Sequence, residues 1–444
     1  MTIPHASSQG AVPQQQEERR PPSPPGRGAP QKQAEILCGD VRERLRGLAA
    51  GSVHCVVTSP PYWGLRDYNA PGQLGLEPTI EEFIAHMVEV FREVRRVLRD
   101  DGTLWLNMGD CYAGGGRGGN PDESPFRKQA TNTGSVTGAA KDPGRVPAGL
   151  KAKDLVGQPW RLAFALQADG WWLRSDIIWS KPNPMPSSVT DRPTTSHEYV
   201  FLLTKRARYF YDADAVREKQ ISLDTAGGFP GGVSALGYQG RDKDGIARTS
   251  FAMKHRTWNP AGRNRRTVWE IATAPFPEAH FATYSPKLVE PCIMAGTSER
   301  GVCAECGAPW ERVVEREPIL HRPNSSSVRG SNASAWRSLG GPQQGARSVS
   351  VSTTGWRPTC ECKEHQARDD GTEYVYDAST VPATVLDPFS GAATTGLVAL
   401  TLGRRYIGIE LNPEYVAMSR KRLAPLLAQP DMVNIAMGGG AEKH

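Results

Sequence analysis

Long hydrophobic runs and a disulfide framework are both missing from this sequence. No stretch of about 18 apolar residues occurs, and the amino-terminal region has no apolar core of a secretory signal. The 444 residues include only 8 cysteines, too few for a disulfide scaffold in a chain of this length. We therefore expect a cytoplasmic protein with no membrane partner.

Large apolar residues are also scarce at the two ends of the chain. Residues 1–33 are mostly Gln, Pro, Ser and Arg, which predicts a disordered tail, and we predict a second, flexible tail at 429–444. The formal net charge of +6 is mildly basic. This charge permits a nucleic-acid partner without requiring one.

Two phosphate-binding signatures are absent from a glycine-rich turn near the carboxyl end. Residues 384–397 follow the pattern strand, tight turn, helix. A P-loop would need Lys and then Ser or Thr after Gly396, but Leu397 and Val398 occupy these positions. A dinucleotide-binding fingerprint, G-x-G-x-x-G, would need a further glycine in the middle of the turn. Gly391 would let the backbone approach a ligand, while Gly396 would let the helix pack on the sheet.

A carboxylate follows the next predicted strand. Residues 405–409 lead into Glu410, nineteen positions after Gly391, and Asn412 with Pro413 opens another helix. A carboxylate at the end of this strand is suited to a ribose diol. An adenosine-containing ligand without a phosphate cradle points to S-adenosylmethionine.

A second polar cluster follows a predicted buried strand at 53–57. Two prolines stop that strand, so Ser59, Pro60, Pro61 and Tyr62 lie together at its carboxyl end. In an open α/β sheet, ligands bind at this end. The alternative is a proline turn that caps a core strand, with the aromatic side chains simply packed.

This cluster suits an exocyclic amino group of a nucleobase. Such a nitrogen is a poor nucleophile because its lone pair is delocalised into the ring. Ser59 Oγ and the Pro60 carbonyl could accept its two hydrogens from a rigid frame. Tyr62 offers a face on which an extruded base can stack.

Strands and helices alternate around these motifs. We predict strands at 34–40, 103–108, 171–179 and 199–204 and helices at 41–48, 79–98 and 154–166. Asp100, Asp101 and Gly102 are expected to end the helix at 79–98. This alternation predicts an α/β fold with a parallel sheet.

Two regions lack periodicity. Residues 113–150 are rich in Gly, Ser and Thr and favour a loop or linker that could also close over DNA. Residues 241–266 contain eight Lys or Arg and two Asp, which suits phosphate and base-edge contacts, although a solvated loop is the alternative. The candidate DNA contacts are Arg241, Lys254, Arg256, Arg263, Arg265 and Arg266.

Two motifs together resemble the amino-group DNA methyltransferases. Residues 58–63 are similar to the catalytic motif of that family, Ser/Asp/Asn-Pro-Pro-Tyr/Phe/Trp. Residues 387–395 are similar to its cofactor motif, Asp-Pro-Phe-x-Gly-x-Gly-Thr-Thr, but Ala393 replaces the second glycine. The catalytic motif comes first, an order that resembles the circularly permuted β group. The resemblance covers roughly 34–205 and 268–425.

The resemblance implies a Rossmann-like, S-adenosylmethionine-dependent methyltransferase fold, circularly permuted, with an inserted target-recognition region and zinc ribbon. It implies catalytic roles for Ser59, Pro60, Pro61 and Tyr62. Asp40, whose alternative role is to cap the next helix, becomes a contact for the adenine ring. The predicted cofactor contacts are Asp40, Thr283, Asp387, Phe389, Ser390, Gly391, Thr394, Glu410 and Asn412.

The substrate is also an expectation from the resemblance. In this family, Ser at the first motif position often accompanies cytosine N4 and Asp adenine N6, so Ser59 favours cytosine. We expect double-stranded DNA as partner, a cognate restriction endonuclease in the same system, and a monomer or homodimer. A catalytically inactive zinc-containing DNA-binding module and an RNA or small-molecule methyltransferase are the alternatives.

Four cysteines form a candidate metal site. Cys303 and Cys306 have zinc-knuckle spacing, and Cys360 and Cys362 form a second pair. We predict a structural zinc with four protein ligands and no catalytic role. His365 could replace one thiolate, and unpaired surface cysteines are the alternative.

These inferences divide the chain into seven parts. The predicted parts are a tail (1–33), the catalytic part of the methyltransferase domain (34–204), a target-recognition region (205–275), a cofactor-flanking helix (276–298), a zinc-ribbon insert with a low-complexity loop (299–366), the cofactor-binding part (367–428) and a tail (429–444).

Overall fold

The computed structural model describes most of the chain in eight segments. They are 32–64, 70–113, 149–187, 189–218, 262–274, 283–320, 347–362 and 380–428. The predicted tail at 429–444, all but two residues of the predicted tail at 1–33, almost all of the predicted 113–150 loop and most of 205–275 lie outside these segments. Among the described residues, no helix is both long and apolar enough to cross a membrane.

The main feature of the fold is an eight-stranded sheet. The strands of the described segments are β1 (Ala34–Cys38), β2 (Val53–Thr58), β3 (Leu98–Met108), β4 (Trp172–Ser180), β5 (His197–Thr204), β6 (Val268–Glu270), β7 (Val302–Cys303), β8 (Trp310–Leu320), β9 (Arg347–Pro358), β10 (Thr380–Val381), β11 (Thr384–Asp387) and β12 (Arg405–Glu410). Across the main sheet the order is β1, β12, β11, β2, β3, β5, β4, β6.

The strand order confirms the predicted permuted α/β fold. β1, β12, β11, β2 and β3 run parallel to one another, so the first strand of the chain lies beside the last. β5 is antiparallel to β3, and β4 is antiparallel to β5. The prediction of a parallel sheet did not include this reversal. β6 extends the sheet beside β4, although it lies within the predicted target-recognition region.

Six helices of the described segments pack against this sheet. They are α1 (Val41–Arg46), α2 (Ile80–Val97), α3 (Gln158–Ala168), α4 (Pro286–Gly296), α5 (Thr394–Thr401) and α6 (Pro413–Leu427). In α2 the apolar positions repeat at helical spacing, and Phe83, Met87, Phe91 and Val94 are all buried. Thr79 caps the helix by accepting a hydrogen bond from the Glu82 amide at 3.2 Å.

Two predicted boundaries are wrong for identifiable reasons. Residues 100–102 were expected to form the turn after α2, but they lie within β3 because Leu98 already pairs with Val53. The helix predicted from 154 begins only at Gln158. Gly157 there has φ 74°, a left-handed conformation that a helix cannot continue through.

The turn before α5 depends on two small residues. A Cβ on Gly396 would lie 2.5 Å from the Tyr406 ring, so glycine is what lets α5 approach β12. Ala393, which replaces a family glycine, has φ 55° and ψ 43°. The chain therefore keeps the left-handed turn with an alanine, a conformation that costs about 1–2 kcal/mol for a residue with a side chain.

The segment around the four cysteines forms two small antiparallel pairs. β7 pairs with β10, and β8 pairs with β9 in a long hairpin. Its described residues contact the main sheet at His54 of β2 and Arg99 of β3. The Gly307 carbonyl lies 3.1 Å from His54 Nε2, and Arg99 Nη1 donates to the Cys306 carbonyl at 2.8 Å.

Gly396→Ala is expected to lower the free energy of unfolding by about 1–3 kcal/mol, because the new methyl group meets a fully buried tyrosine ring. Urea unfolding followed by circular dichroism measures the change. Gly355→Ala is the matched control, since no atom lies within 4 Å of its added Cβ. Equal stability of the two variants would contradict the close packing of α5 on β12.

Candidate active site

A cleft of about 830 Å³ opens where the parallel strands end. Its wall contains both polar clusters singled out in the sequence, with Ser59 to Tyr62 on one side and Gly391 and Glu410 on the other. Their separation in the chain is more than 300 residues. The fold brings them together because β2 and β11 are neighbours in the sheet.

A buried carboxylate ties these two strands at the base of the cleft. Asp387, at the end of β11, is 1% exposed. It accepts hydrogen bonds from Thr58 Oγ1 at 2.7 Å, Thr395 Oγ1 at 2.8 Å and Tyr284 Oη at 3.0 Å. The Phe389 amide is a fourth donor at 3.1 Å. These bonds join β2, the glycine turn with the start of α5, and the segment before α4.

The surroundings of Asp387 determine what its carboxylate can do. Burial raises the pKa of Asp387, while its hydrogen-bond donors oppose that rise. Asp387 is not among the residues that line the cleft. The geometry therefore favours a positioning role, and direct contact with a cofactor stays a prediction.

Glu410 faces the cleft from the end of β12. One of its carboxylate oxygens accepts the Gly391 amide at 2.8 Å, and the other accepts the Asn412 amide at 2.8 Å. Burial raises the pKa of Glu410, and these backbone donors oppose the rise. Because an ionised carboxylate has about four acceptor positions, each oxygen can still accept a ligand hydroxyl.

Asp40 caps the next helix, one of the two roles that the sequence left open, and its contact with a cofactor stays a prediction. Its side chain accepts from the Arg42 amide at 2.8 Å and so caps α1, and it also pairs with the Arg42 guanidinium at 2.9 Å. Asp40 nevertheless lines the cleft together with Gly39. Burial acts to raise the pKa of Asp40, but the hydrogen bonds from Arg42 outweigh it and the pKa is lowered. The side chain is thus an anionic acceptor at the cleft wall.

The other predicted cofactor residues border the cleft. Phe389, Ser390 and Gly391 lie in the turn between β11 and α5, and Thr394 begins α5. Thr283 and Asn412 lie at the same wall. Ser390 Oγ is 2.8 Å from Tyr406 Oη, which fixes one side of the turn. Asn412 caps α6 by accepting the Glu414 amide at 2.8 Å.

A polar cluster surrounds the hydroxyl group of Tyr62. Tyr62 Oη donates to Glu198 Oε2 at 2.9 Å, and Asn107 Nδ2 donates to the same oxygen at 3.2 Å. Lys181 forms an ion pair with the other oxygen of Glu198. Burial, reinforced by the charge of Glu198, raises the pKa of Tyr62, so the phenol stays protonated at neutral pH.

Sequence reasoning missed Glu198, Lys181 and Asn107. Asn107 lies near the end of β3, where a signal existed, since parallel strands end at this edge. Glu198 lies near the start of β5 and reaches the same edge only because β5 runs antiparallel. The hydrophobic pattern of a strand does not predict its direction in the sheet, so the sequence contained no such signal for Glu198.

The described part of the basic region is engaged within the protein. Arg263 Nε and Arg266 Nε donate to Glu218 Oε2 at 3.1 and 3.0 Å, and the Arg265 guanidinium lies 4.5 Å from the Trp269 ring centre. Arg241, Lys254 and Arg256 lie outside the described residues. The DNA contacts assigned to these six residues stay predictions.

The four cysteines of the predicted metal site lie together. The sulfur atoms of Cys303, Cys306, Cys360 and Cys362 are all within 4.8 Å of one another. Sulfurs around a tetrahedral zinc lie about 3.8 Å apart, given Zn–S bonds of ~2.3 Å. The donor set therefore fits a structural zinc ion. His365 lies outside the described residues.

Comparison with known proteins gives a consistent result. A sequence model of a family described as DNA methylase, N6_N4_Mtase, matches residues 53–305 and 374–421. The type II methyltransferase M.Cfr9I of Citrobacter freundii is 38% identical over 392 residues, which cover 88% of this chain and 87% of that protein. The type II methyltransferase M.SmaI of Serratia marcescens is 36% identical, with coverage of 88% and 91%.

Among solved structures, the PvuII DNA methyltransferase, described as cytosine-N4-specific, is 15% identical with a TM-score of 0.45 and coverage of 91% of each chain. That likeness is too weak to add to the sequence result. The family match spans more than half of the chain, and both type II methyltransferases align with most of it. The chain therefore belongs to the N6/N4 family of DNA methylases.

Proposed function

We propose that this protein transfers a methyl group from S-adenosylmethionine to an exocyclic amino group in double-stranded DNA, with cytosine N4 as the favoured target. The observation that carries the proposal is the single cleft that holds both the Ser-Pro-Pro-Tyr cluster and the Gly391–Glu410 turn. A methyl donor and an amine acceptor can meet only where both binding groups share one space.

The residues at the glycine turn would hold the methyl donor. Glu410 would accept from the ribose hydroxyls, since both its oxygens keep acceptor positions, and Asp40 would accept from the adenine amine. Thr283 and the backbone of the turn would border the remainder of the ligand. When bound, S-adenosylmethionine supplies a methyl carbon attached to a positively charged sulfur.

The residues after β2 would prepare the amine. Ser59 Oγ and the Pro60 carbonyl would accept its hydrogens, and Tyr62 would stack on the extruded base. The nitrogen lone pair forms the new bond to the methyl carbon, and the electrons of the carbon–sulfur bond stay on sulfur. The surplus proton on nitrogen leaves to solvent. No covalent bond to the protein is required.

Cytosine is favoured over adenine because Ser59, rather than Asp, opens the motif. The resemblance of the chain to type II methyltransferases also supports a modification enzyme that works with a restriction endonuclease of the same specificity. The net charge of +6 is consistent with a polyanionic substrate.

We also propose a structural zinc ion on the four cysteines. Four protein ligands leave no open position for catalysis. Through Gly307 and Cys306, the knuckle contacts His54 of β2 and Arg99 of β3. The ion would therefore fix the insert against the two strands that lead to the catalytic cluster, at the end remote from the cleft.

DNA methylated by the purified protein is expected to contain N4-methylcytosine. Mass spectrometry of the nucleosides released by enzymatic digestion identifies the product. Detection of N6-methyladenine instead would show that the target base is adenine, with the same mechanism of methyl transfer. Binding of DNA with neither product would favour the inactive zinc-containing module.

Glu410→Ala is expected to weaken the binding of S-adenosylmethionine about 10- to 100-fold, which corresponds to the loss of hydrogen bonds to a charged group. Isothermal titration calorimetry measures the affinity. Glu414→Ala, in the exposed first turn of α6, is the matched control. Equal affinities of the two variants would remove Glu410 from the cofactor site.

Elemental analysis of the purified protein is expected to find about one zinc per chain. The double variant Cys303→Ser/Cys306→Ser should lose the metal and unfold at a lower temperature. Cys111→Ser is the control, because Cys111 is a half-buried cysteine outside the cluster. Retention of full zinc by the double variant would show that these sulfurs are not its ligands.

A further inference from the structure

A row of three side chains runs from the catalytic serine into the wall of the cleft. Ser59 Oγ lies 3.4 Å from Tyr62 Oη, and Tyr62 Oη lies 2.9 Å from Glu198 Oε2. All three residues line the cleft. Two of the three side chains end in hydroxyl groups, which can donate or accept, so the direction of the hydrogen bonds depends on the third, Glu198.

The carboxylate of Glu198 can only accept. Its other oxygen forms an ion pair with Lys181, whose ammonium group also lies 4.4 Å from the centre of the Trp179 ring. The amide nitrogen of Asn107 donates both to Glu198 and to the Tyr199 carbonyl at 3.0 Å. This second bond fixes the amide, so that its oxygen, another acceptor, faces Tyr62 at 3.5 Å.

The hydroxyl group of Tyr62 therefore meets acceptors on one side. Its single hydrogen goes to Glu198, which is the nearer of the two acceptors. The Tyr62 oxygen can therefore act only as an acceptor in its contact with Ser59. Ser59 must then be the donor in that contact, and its own lone pairs remain for a group in the cleft.

We infer that Glu198 is a positioning residue, which orients the Tyr62 and Ser59 hydroxyl groups so that Ser59 presents an acceptor to the target amine. The inference rests on the proposed function, because it assigns a direction to the bond that the proposal gives to Ser59. An acceptor pulls the amine towards its reactive form, whereas a donor in the same place would compete with the methyl group for the nitrogen lone pair.

The length of the first link limits its strength. At 3.4 Å, the contact between Ser59 and Tyr62 is longer than an ordinary hydrogen bond between hydroxyl groups. It contributes direction more than energy. Removal of the Tyr62 hydroxyl should therefore reduce turnover measurably but by less than about tenfold, since tenfold is the rate equivalent of one ordinary hydrogen bond.

A double-mutant cycle tests this inference with Ser59→Ala, Tyr62→Phe and the two combined. Tyr62→Phe keeps the ring on which the base stacks and removes only the hydroxyl group. Single-turnover methylation of a short DNA duplex gives the rate, and calorimetry gives the affinity for S-adenosylmethionine. We expect Ser59→Ala to lower the rate about 10²- to 10³-fold with unchanged cofactor affinity. In the Ser59→Ala background, Tyr62→Phe should have no further effect.

Glu198→Gln tests the direction itself. An amide in this position can donate to Tyr62, which would turn the tyrosine hydrogen towards Ser59 and make Ser59 a donor to the cleft. Glu198→Gln should therefore be slower than Tyr62→Phe, although it is nearly isosteric. Thermal unfolding of each variant separates this effect from a loss of structure, and Tyr62→Phe decides the question if Glu198→Gln does not fold.

The outcomes separate the inference from the proposed function. Full activity of Ser59→Ala would overturn the proposed role of Ser59 and, with it, this inference. An impaired Ser59→Ala together with a fully active Tyr62→Phe would overturn only the role of Glu198. The role of Glu198 would also be overturned if the rate reduction of the double variant equalled the product of the two single reductions. Tyr62 would then act independently of Ser59.

Discussion

The site depends on the buried carboxylate of Asp387. Its hydrogen bonds to Thr58, Thr395 and Tyr284 join three segments that are far apart in the chain. Without such donors the buried carboxylate would be costly, because an unsatisfied buried polar group costs about 1–3 kcal/mol. The carboxylate thus sets the relative position of β2 and the turn before α5 from beneath the cleft.

This connection explains why a permuted chain can form the same kind of site. Such a site requires only that the strands which carry its residues are neighbours and end at the same edge of the sheet. The order of these strands in the sequence does not matter. β2 and β11 are adjacent, and β12 with its Glu410 lies one strand further. Because β5 is antiparallel to β3, its first residues, including Glu198, lie at the edge where β3 ends. Carboxylates of different strands therefore serve different parts of one cleft.

Much of this arrangement could be predicted from local sequence signals. Proline pairs, glycine turns and cysteine spacing act over a few residues, so the strand before Ser59, the turn at Gly391 and the cysteine cluster were identified correctly. Strand direction is set by tertiary pairing, and Glu198, at the start of the antiparallel β5, was missed for that reason. Residues 100–102 were misassigned because pairing of Leu98 with Val53 overrides the turn preference of Asp-Asp-Gly.

A crystal structure of the protein with a short DNA duplex and a non-transferable analogue of S-adenosylmethionine tests the shared cleft most directly. The expected complex has the ribose of the analogue on Glu410 and its sulfonium-equivalent group facing Ser59. The target base should stack on Tyr62 with its amino group between Ser59 and the Pro60 carbonyl. An analogue bound outside the cleft, or with its reactive end facing away from Ser59, would contradict the proposed methyl transfer.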